Sequence, residues 1–275
     1  MDVVYEVERM PEQDESLDAL FLSFKPGGKG SNTAVAISRS QRDKPKVPKD
    51  RLEGAASNVE QRDENQPEVR VLFNTAVGRD HFGGVLMQSL KENGVDTSGI
   101  KILDKSQTGT CAVFVEKSSR NCRDIGFPGG NTHWAPERRD SVECLANGNK
   151  PDLIVTCLEH SHTVVEDVLA TAHENVVDTL LNPSPAYRLL DATYKNVTHL
   201  LLNEVEVAEL AGIPQNLPTE QAMLEVCTYF MERGVKHEVI TLGGRGAFYA
   251  TNGAHGLVDA VSVPDGDIED TTGAG

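Results

Sequence analysis

Short apolar runs alternate along this chain with stretches that repeat at helical spacing. Residues 71–77 read as a buried strand, and residues 81–93 as a helix that Gly94 closes. Residues 152–158 form a second strand-like run, followed by a helix over about 161–174. Further strands are predicted at 176–181, 198–202 and 238–242, with helices near 204–211 and 219–233. Strand–helix alternation of this kind folds into parallel βαβ units, so the expected architecture is α/β, a doubly wound and mostly parallel sheet flanked by helices. Such sheets bind ligands beyond the carboxyl ends of their strands. Glu159, Asn203 and Gly243 each follow a predicted strand and are expected at that edge.

Two regions depart from the alternation. Residues 3–8 with 19–24, and 110–116 with 122–127, read as strand pairs. In residues 40–68, 13 of 29 positions are charged, none is aromatic, and Pro45, Pro48 and Pro67 interrupt any helix. That composition buries too little apolar area to order itself, so a disordered surface insertion is expected, with a charged binding tail as the alternative.

A chain of 275 residues holds one large α/β domain or two small ones. The net charge of −16 argues against nucleic acid or an anionic membrane surface as a partner. Cys111, Cys122, Cys144, Cys157 and Cys227 are scattered without a C-x-x-C and read as reduced thiols of a cytosolic protein. The acidic N-terminus reads as neither signal nor transit peptide, and no apolar run has membrane-spanning length. His160, His162 and His173 lack a third ligand at metal-binding spacing.

Two glycine segments carry the chemistry. Gly27-Gly28-Lys29-Gly30-Ser31-Asn32 is a turn running into a helix, where glycine permits positive φ and close approach to a ligand. Lys29 and Asn32 can point at a polar group bound there. It is not a Walker A loop, since Ser23 stands at the first glycine position and Gly30 where Ser or Thr is required. Nor is 244–249 a G-x-G-x-x-G, because Tyr249 takes the last glycine position. The second segment, Asp270-Thr271-Thr272-Gly273-Ala274-Gly275, has the composition of a backbone anion cradle and equally that of an ordinary turn. Asn203 with Glu206 three residues on has capping-box spacing.

Taken in order, GGKGSNTAVA (27–36), NPSPA (182–186), LNEVE (202–206), TLGGRGA (241–247) and DTTGAG (270–275) resemble the motifs of the ribokinase-like (PfkB) carbohydrate kinases. The resemblance covers nearly the whole chain. It implies ATP-dependent phosphorylation of a sugar, with D-ribose converted to ribose 5-phosphate as the first candidate. It implies ATP, Mg2+ and K+ as cofactors and a cytoplasmic location, with the nucleus as a second compartment. The strand pairs within 2–26 and 108–131 would form a β lid over the sugar, and that lid would support a homodimer.

The resemblance also implies roles. Asp2, Gly28, Lys29, Asn32 and Glu159 match sugar-binding positions. Asn203, Thr241, Gly243 and Gly246 match nucleotide-binding positions. Glu206 matches a residue that orders magnesium through water, a role compatible with the capping box. Asp270 and Thr272 match a monovalent-cation site, and Gly273, Ala274 and Gly275 the anion hole. The family's catalytic aspartate follows that last motif and would lie beyond Gly275. From that, the chain is expected to be an incomplete, C-terminally truncated kinase domain, inactive and unstable as it stands. The alternatives are a non-catalytic sugar-binding fragment or pseudoenzyme, and another sugar or nucleoside kinase of the same fold.

Overall fold

The computed structural model describes residues 1–40, 69–119, 121–213 and 217–261. Residues 41–68 of the expected insertion lie outside them, as do Asp270, Thr272, Gly273, Ala274 and Gly275.

The largest sheet has six strands, lying side by side in the order 255–258, 247–251, 237–241, 199–203, 178–182 and 153–157. Its strands are β7 (Leu153–Cys157), β8 (Asp178–Asn182), β9 (His199–Asn203), β10 (His237–Thr241), β11 (Ala247–Thr251) and β12 (His255–Val258). β7 to β10 run parallel, while β11 and β12 return antiparallel. Helices α3 (His162–Glu174), α5 (Glu204–Ala211) and α6 (Glu220–Met231) flank it, with the short α4 (Asp191–Tyr194) between β8 and β9. This is the mostly parallel α/β architecture that the alternation predicts.

Period-2 alternation explains why the helices settle where they do. Leu181, Leu200, Leu202, Ile240, Phe248 and Ala250 are buried on one face of the sheet. Val165 and Leu169 of α3, Val207 and Leu210 of α5, and Met223, Val226 and Phe230 of α6 join them in one core. Fully burying such a side chain contributes about 1.5–3 kcal/mol. The opposite face carries Leu153, Val155, Val239 and Tyr249, which stay partly exposed among the described residues. Glu238 breaks the apolar pattern. Its side chain is buried in the helix-covered face, and among the described residues neither carboxylate oxygen has a hydrogen-bonding N or O partner.

A second sheet of four strands has the order β2-β1-β5-β6. β1 (Asp2–Val7) pairs antiparallel with β2 (Phe21–Lys25) and in parallel with β5 (Thr110–Glu116), which pairs antiparallel with β6 (Cys122–Phe127). The parallel β1–β5 register joins the two sequence-level pairs into one sheet. One face of this sheet exposes Leu22, Phe24, Ile125 and Phe127.

The chain also forms α1 (Lys29–Ser40), β3 (Thr75–Gly78), α2 (His81–Glu92) and β4 (Ile100–Leu103), with β3 and β4 pairing in parallel. Asp80 caps α2 by accepting from Gly83 N at 2.8 Å and also accepts from Thr108 N at 2.7 Å. One carboxylate thus ties the α2 start to the entry of β5. Burial works against that charge, but the hydrogen bonds from Thr108 and Gly83 hold its pKa below the usual range. No described helix is long and apolar enough to cross a membrane.

Several boundaries differ from the sequence expectation. The strand predicted at 71–77 begins only at Thr75, and Leu72 contributes a single bridge to Asp96. Val176 lies outside β8 because it takes a positive φ of 54° in the turn after α3. β2 begins at Phe21, with Ala19 and Leu20 outside the strand. The β4 strand and the β11–β12 hairpin have no counterpart in the sequence prediction.

Candidate functional site

The carboxyl ends of β7, β8, β9 and β10 form one edge, and the loops leaving it carry Glu159, Asn182 to Ala186, Asn203 and Gly243. The N-terminus of α1 approaches the same edge. Lys29 N lies 3.4 Å from Glu159 Oε1, where a carboxylate benefits from the partial positive charge of a helix start. Glu159 is also 3.9 Å from the Cys157 thiol, whose pKa is pushed up to about 11, first by burial and then by the Glu159 charge.

The turn before α1 is shaped by Asp2. Gly27 is buried, and a β-carbon there would collide with the Asp2 carboxylate. Gly28 follows with φ at 98°, and Ser31 Oγ donates to Gly27 O at 2.6 Å and lies 3.0 Å from Gly28 O. Burial, opposed by nearby positive charge, raises the Asp2 pKa above its ordinary value. Asp2, Gly28, Lys29 and Glu159 thus meet from three distant parts of the chain. Asn32 stands one helical turn on, exposed, with its N–H on Gly28 O at 2.9 Å. It lines a groove of about 330 Å³ between α1 and α2, together with Ser31, Arg39, Leu86 and Asn93.

On the other part of the edge, Asn203 and Glu206 form a full capping box at the start of α5. Asn203 N donates to Glu206 Oε2 at 2.9 Å, and Glu206 N donates to Asn203 Oδ1 at 2.8 Å. Asn182 Nδ2, at the end of β8, is 3.4 Å from Glu206 Oε2 and donates to Leu201 O at 3.0 Å. Glu206 is buried, and among the described residues its hydrogen bonds as acceptor fall on Oε2. A carboxylate offers about four lone-pair sites, so Glu206 fits a magnesium ion held through water while still serving as a cap.

Thr241 Oγ1 donates to Leu202 O at 3.3 Å, tying the end of β10 to β9 beside Asn203. The turn Gly243–Arg245 and Gly246 follow, presenting backbone groups at the sheet edge. Gly246 has φ of 89°, and a β-carbon there would collide with Val258 O of β12. Arg245 pairs with Glu204 at 2.6 Å and donates to Leu217 O at 3.1 Å, which braces the turn against α5.

Two polar residues near Asp2 were missed in the sequence reading. Cys111 stands opposite Asp2 in the β1–β5 register, and its thiol lies 3.5 Å from Asp124 Oδ2. Only strand pairing brings these positions to Asp2, so spacing along the chain carried no signal for them. The histidines take other places. His160 Nδ1 is 3.1 Å from Asn131 O, its ring lies against Trp134, and His162 stacks on Tyr187.

Comparison with known proteins follows the same lines. Residues 1–275 match the family described as pfkB family carbohydrate kinase. The chain is 28% identical over 277 residues to the bifunctional ribokinase/ribose-5-phosphate isomerase A of Fructilactobacillus sanfranciscensis. That alignment takes in 100% of this chain and 45% of the relative, so the chain spans less than half of that protein's length. It is 26% identical over 276 residues to the deoxyribokinase of Salmonella typhi, covering 100% of this chain and 79% of the relative. The structure of Arabidopsis thaliana ribokinase complexed with ribose and ATP shares the fold, with a TM-score of 0.76 at 21% identity over 99% of this chain and 78% of that one.

Proposed function

We propose that this chain, which belongs to the pfkB family of carbohydrate kinases, binds a sugar under its four-stranded sheet and passes it a phosphoryl group from ATP, with D-ribose as the first substrate. The observation that carries the reading is the meeting of Asp2, the Gly27–Gly28 turn, Lys29 and Glu159 at one sheet edge. Sugar hydroxyls both donate and accept, so two carboxylates and an ammonium group make a matched set of partners. The Asn203–Glu206 cap, Thr241, Gly243 and Gly246 stand on the neighbouring strand ends and form the nucleotide side of the same edge.

Each group has a definite task. Asp2 and Glu159 accept from sugar hydroxyls and fix the ring against Gly28. Lys29, exposed at the helix start, donates to a sugar oxygen and offsets the two carboxylates. Glu206 orders the water shell of magnesium, which when bound neutralises charge on the transferred phosphate. The Gly243–Gly246 turn lies against the nucleotide through backbone groups. Asp270 and Thr272 belong to a potassium site and Gly273, Ala274 and Gly275 to the anion hole, by the family motif they match. The apolar outer face of the lid sheet, with Leu22, Ile125 and Phe127 exposed, fits a homodimer contact.

The 26% identity to a deoxyribokinase keeps 2-deoxyribose as the second substrate. A panel of D-ribose, 2-deoxy-D-ribose, hexoses and nucleosides, assayed for binding and for ADP release with ATP and Mg2+, tests the proposal. Specific ribose binding is the expected result, with ribose-dependent ADP release expected of a chain that carries the family's catalytic aspartate. Sugar binding without transfer by such a chain points to a sugar-binding protein that has lost catalysis. Binding of no sugar or nucleoside refutes the reading.

A further inference from the structure

Asp2, Cys111 and Asp124 form a row across three neighbouring strands of the lid sheet. Asp2 on β1 is the register partner of Cys111 on β5. On the other side, Val113 of β5 is opposite Asp124 of β6. Residues two apart on a strand share a face, so Cys111 and Val113 point the same way, and Asp124 joins them diagonally from Cys111. The 3.5 Å contact between Cys111 Sγ and Asp124 Oδ2 closes the row. It lies on the face where Asp2 meets the Gly27 turn.

The partners of Asp124 are few. Among the described residues no basic side chain forms an ion pair with it, and its recorded hydrogen bond comes from a thiol, a weak donor. Cys111 remains a neutral thiol, with a pKa near 11, first because of burial and then because of the Asp124 hydrogen bond. It therefore donates weakly and brings no charge to balance the carboxylate. Asp124 is exposed and keeps most of its acceptor capacity, and its charge helps to raise the Asp2 pKa.

We propose that Asp124 is a specificity-determining residue that accepts a sugar hydroxyl from the lid side, so that the site prefers a fully hydroxylated pentose to a deoxy sugar. This rests on the sugar-kinase reading above and extends it. Asp124 is exposed in the free protein, so the preference arises when a bound sugar covers it, since an analogue that lacks the hydroxyl then leaves the carboxylate unpaired.

The test is calorimetric binding of D-ribose and its mono-deoxy analogues to the wild-type protein, Asp124→Ala and the near-isosteric Asp124→Asn. The wild type should bind ribose at least about tenfold more tightly than one of the analogues, the range expected for a hydrogen bond to a charged group. Asp124→Ala should lose that preference, weakening ribose by about tenfold while leaving that analogue within about twofold, and Asp124→Asn should fall between. ATP affinity should not change. Carboxyl NMR should show the Asp2 titration at lower pH in Asp124→Asn, a readout that also reports an intact lid. Equal weakening of ribose and every analogue, or no change at all, overturns the assignment of Asp124 and leaves the kinase reading standing. A wild type that binds no pentose overturns both.

Discussion

Asn203 and Glu206 hold each other reciprocally, side chain to backbone in both directions, at 2.9 and 2.8 Å. The pair is a helix cap by geometry and a magnesium-ordering site by proposal, and substitution separates the two roles. Glutamine at Glu206 preserves the capping hydrogen bond but removes the charge. Glu206→Gln should leave the melting temperature within a few degrees while raising the Mg2+ concentration needed for half-maximal ATP binding. Asn203→Ala should instead cost about 1 kcal/mol of stability. Thermal melts and Mg2+ titrations of the two variants, run side by side, check this. Equal loss of stability in both would reduce Glu206 to a structural role.

Gly27 and Gly246 are set by contacts a β-carbon cannot share. At Gly27 the obstacle is the Asp2 carboxylate, and at Gly246 it is the Val258 carbonyl, compounded by a φ of 89°. Gly27→Ala should weaken sugar binding and spare ATP, because Asp2 must move. Gly246→Ala should do the reverse and also lose about 1–3 kcal/mol of stability through backbone strain. Separate titrations with ribose and with ATP decide it, and a Gly27→Ala protein that loses both ligands equally contradicts the division of the site.

Glu238 makes stability depend on pH. Burial lifts its pKa from 4.5 to about 8, against a smaller lowering from Cys227. The folded state therefore holds a proton that the unfolded chain releases between those values. The sign follows from linkage, with stability falling as pH rises from about 4.5 to about 8 and levelling beyond. The effect of this one group is on the order of 4 kcal/mol. Glu238→Met, which fills similar volume without a charge, should flatten the melting temperature across that window. A wild-type profile that rises from pH 5 to pH 8, with the Met variant parallel to it, would show that Glu238 is ionised in the fold.

The four-stranded sheet exposes Ile125 at 71% and Phe127 at 50% on its edge strand. Apolar side chains clustered on one face mark an interaction surface. Sedimentation equilibrium should find a dimer for the wild type and a monomer for Ile125→Asp with Phe127→Ser, with ribose affinity affected less than assembly. A wild type that stays monomeric at tens of micromolar argues against the lid contact.

Much of the fold was legible because its strands are short apolar runs and its helices carry caps. Helix α5 matches its predicted bounds, since Asn203 and Glu206 announce its start and Gly212 its left-handed end. The β11–β12 hairpin escaped notice because Tyr249 and His255 dilute its apolar pattern and its partners lie on the far edge of the sheet. The site was legible in part for a similar reason. Gly28, Lys29 and Asn32 sit in one contiguous motif, whereas Cys111 and Asp124 reach Asp2 only through β1–β5–β6 register. Register depends on tertiary pairing, which local spacing does not encode.

The most direct test of the central claim is calorimetric titration of D-ribose and of ATP into the wild-type protein and into Asp2→Asn and Lys29→Ala. The account predicts that ribose binds the wild type, that each substitution weakens it by roughly 10- to 150-fold, as loss of a charge-assisted hydrogen bond implies, and that ATP binding stays within about twofold, well under the loss of one hydrogen bond. Ribose binding that survives both substitutions, or parallel losses of ribose and ATP, would contradict it.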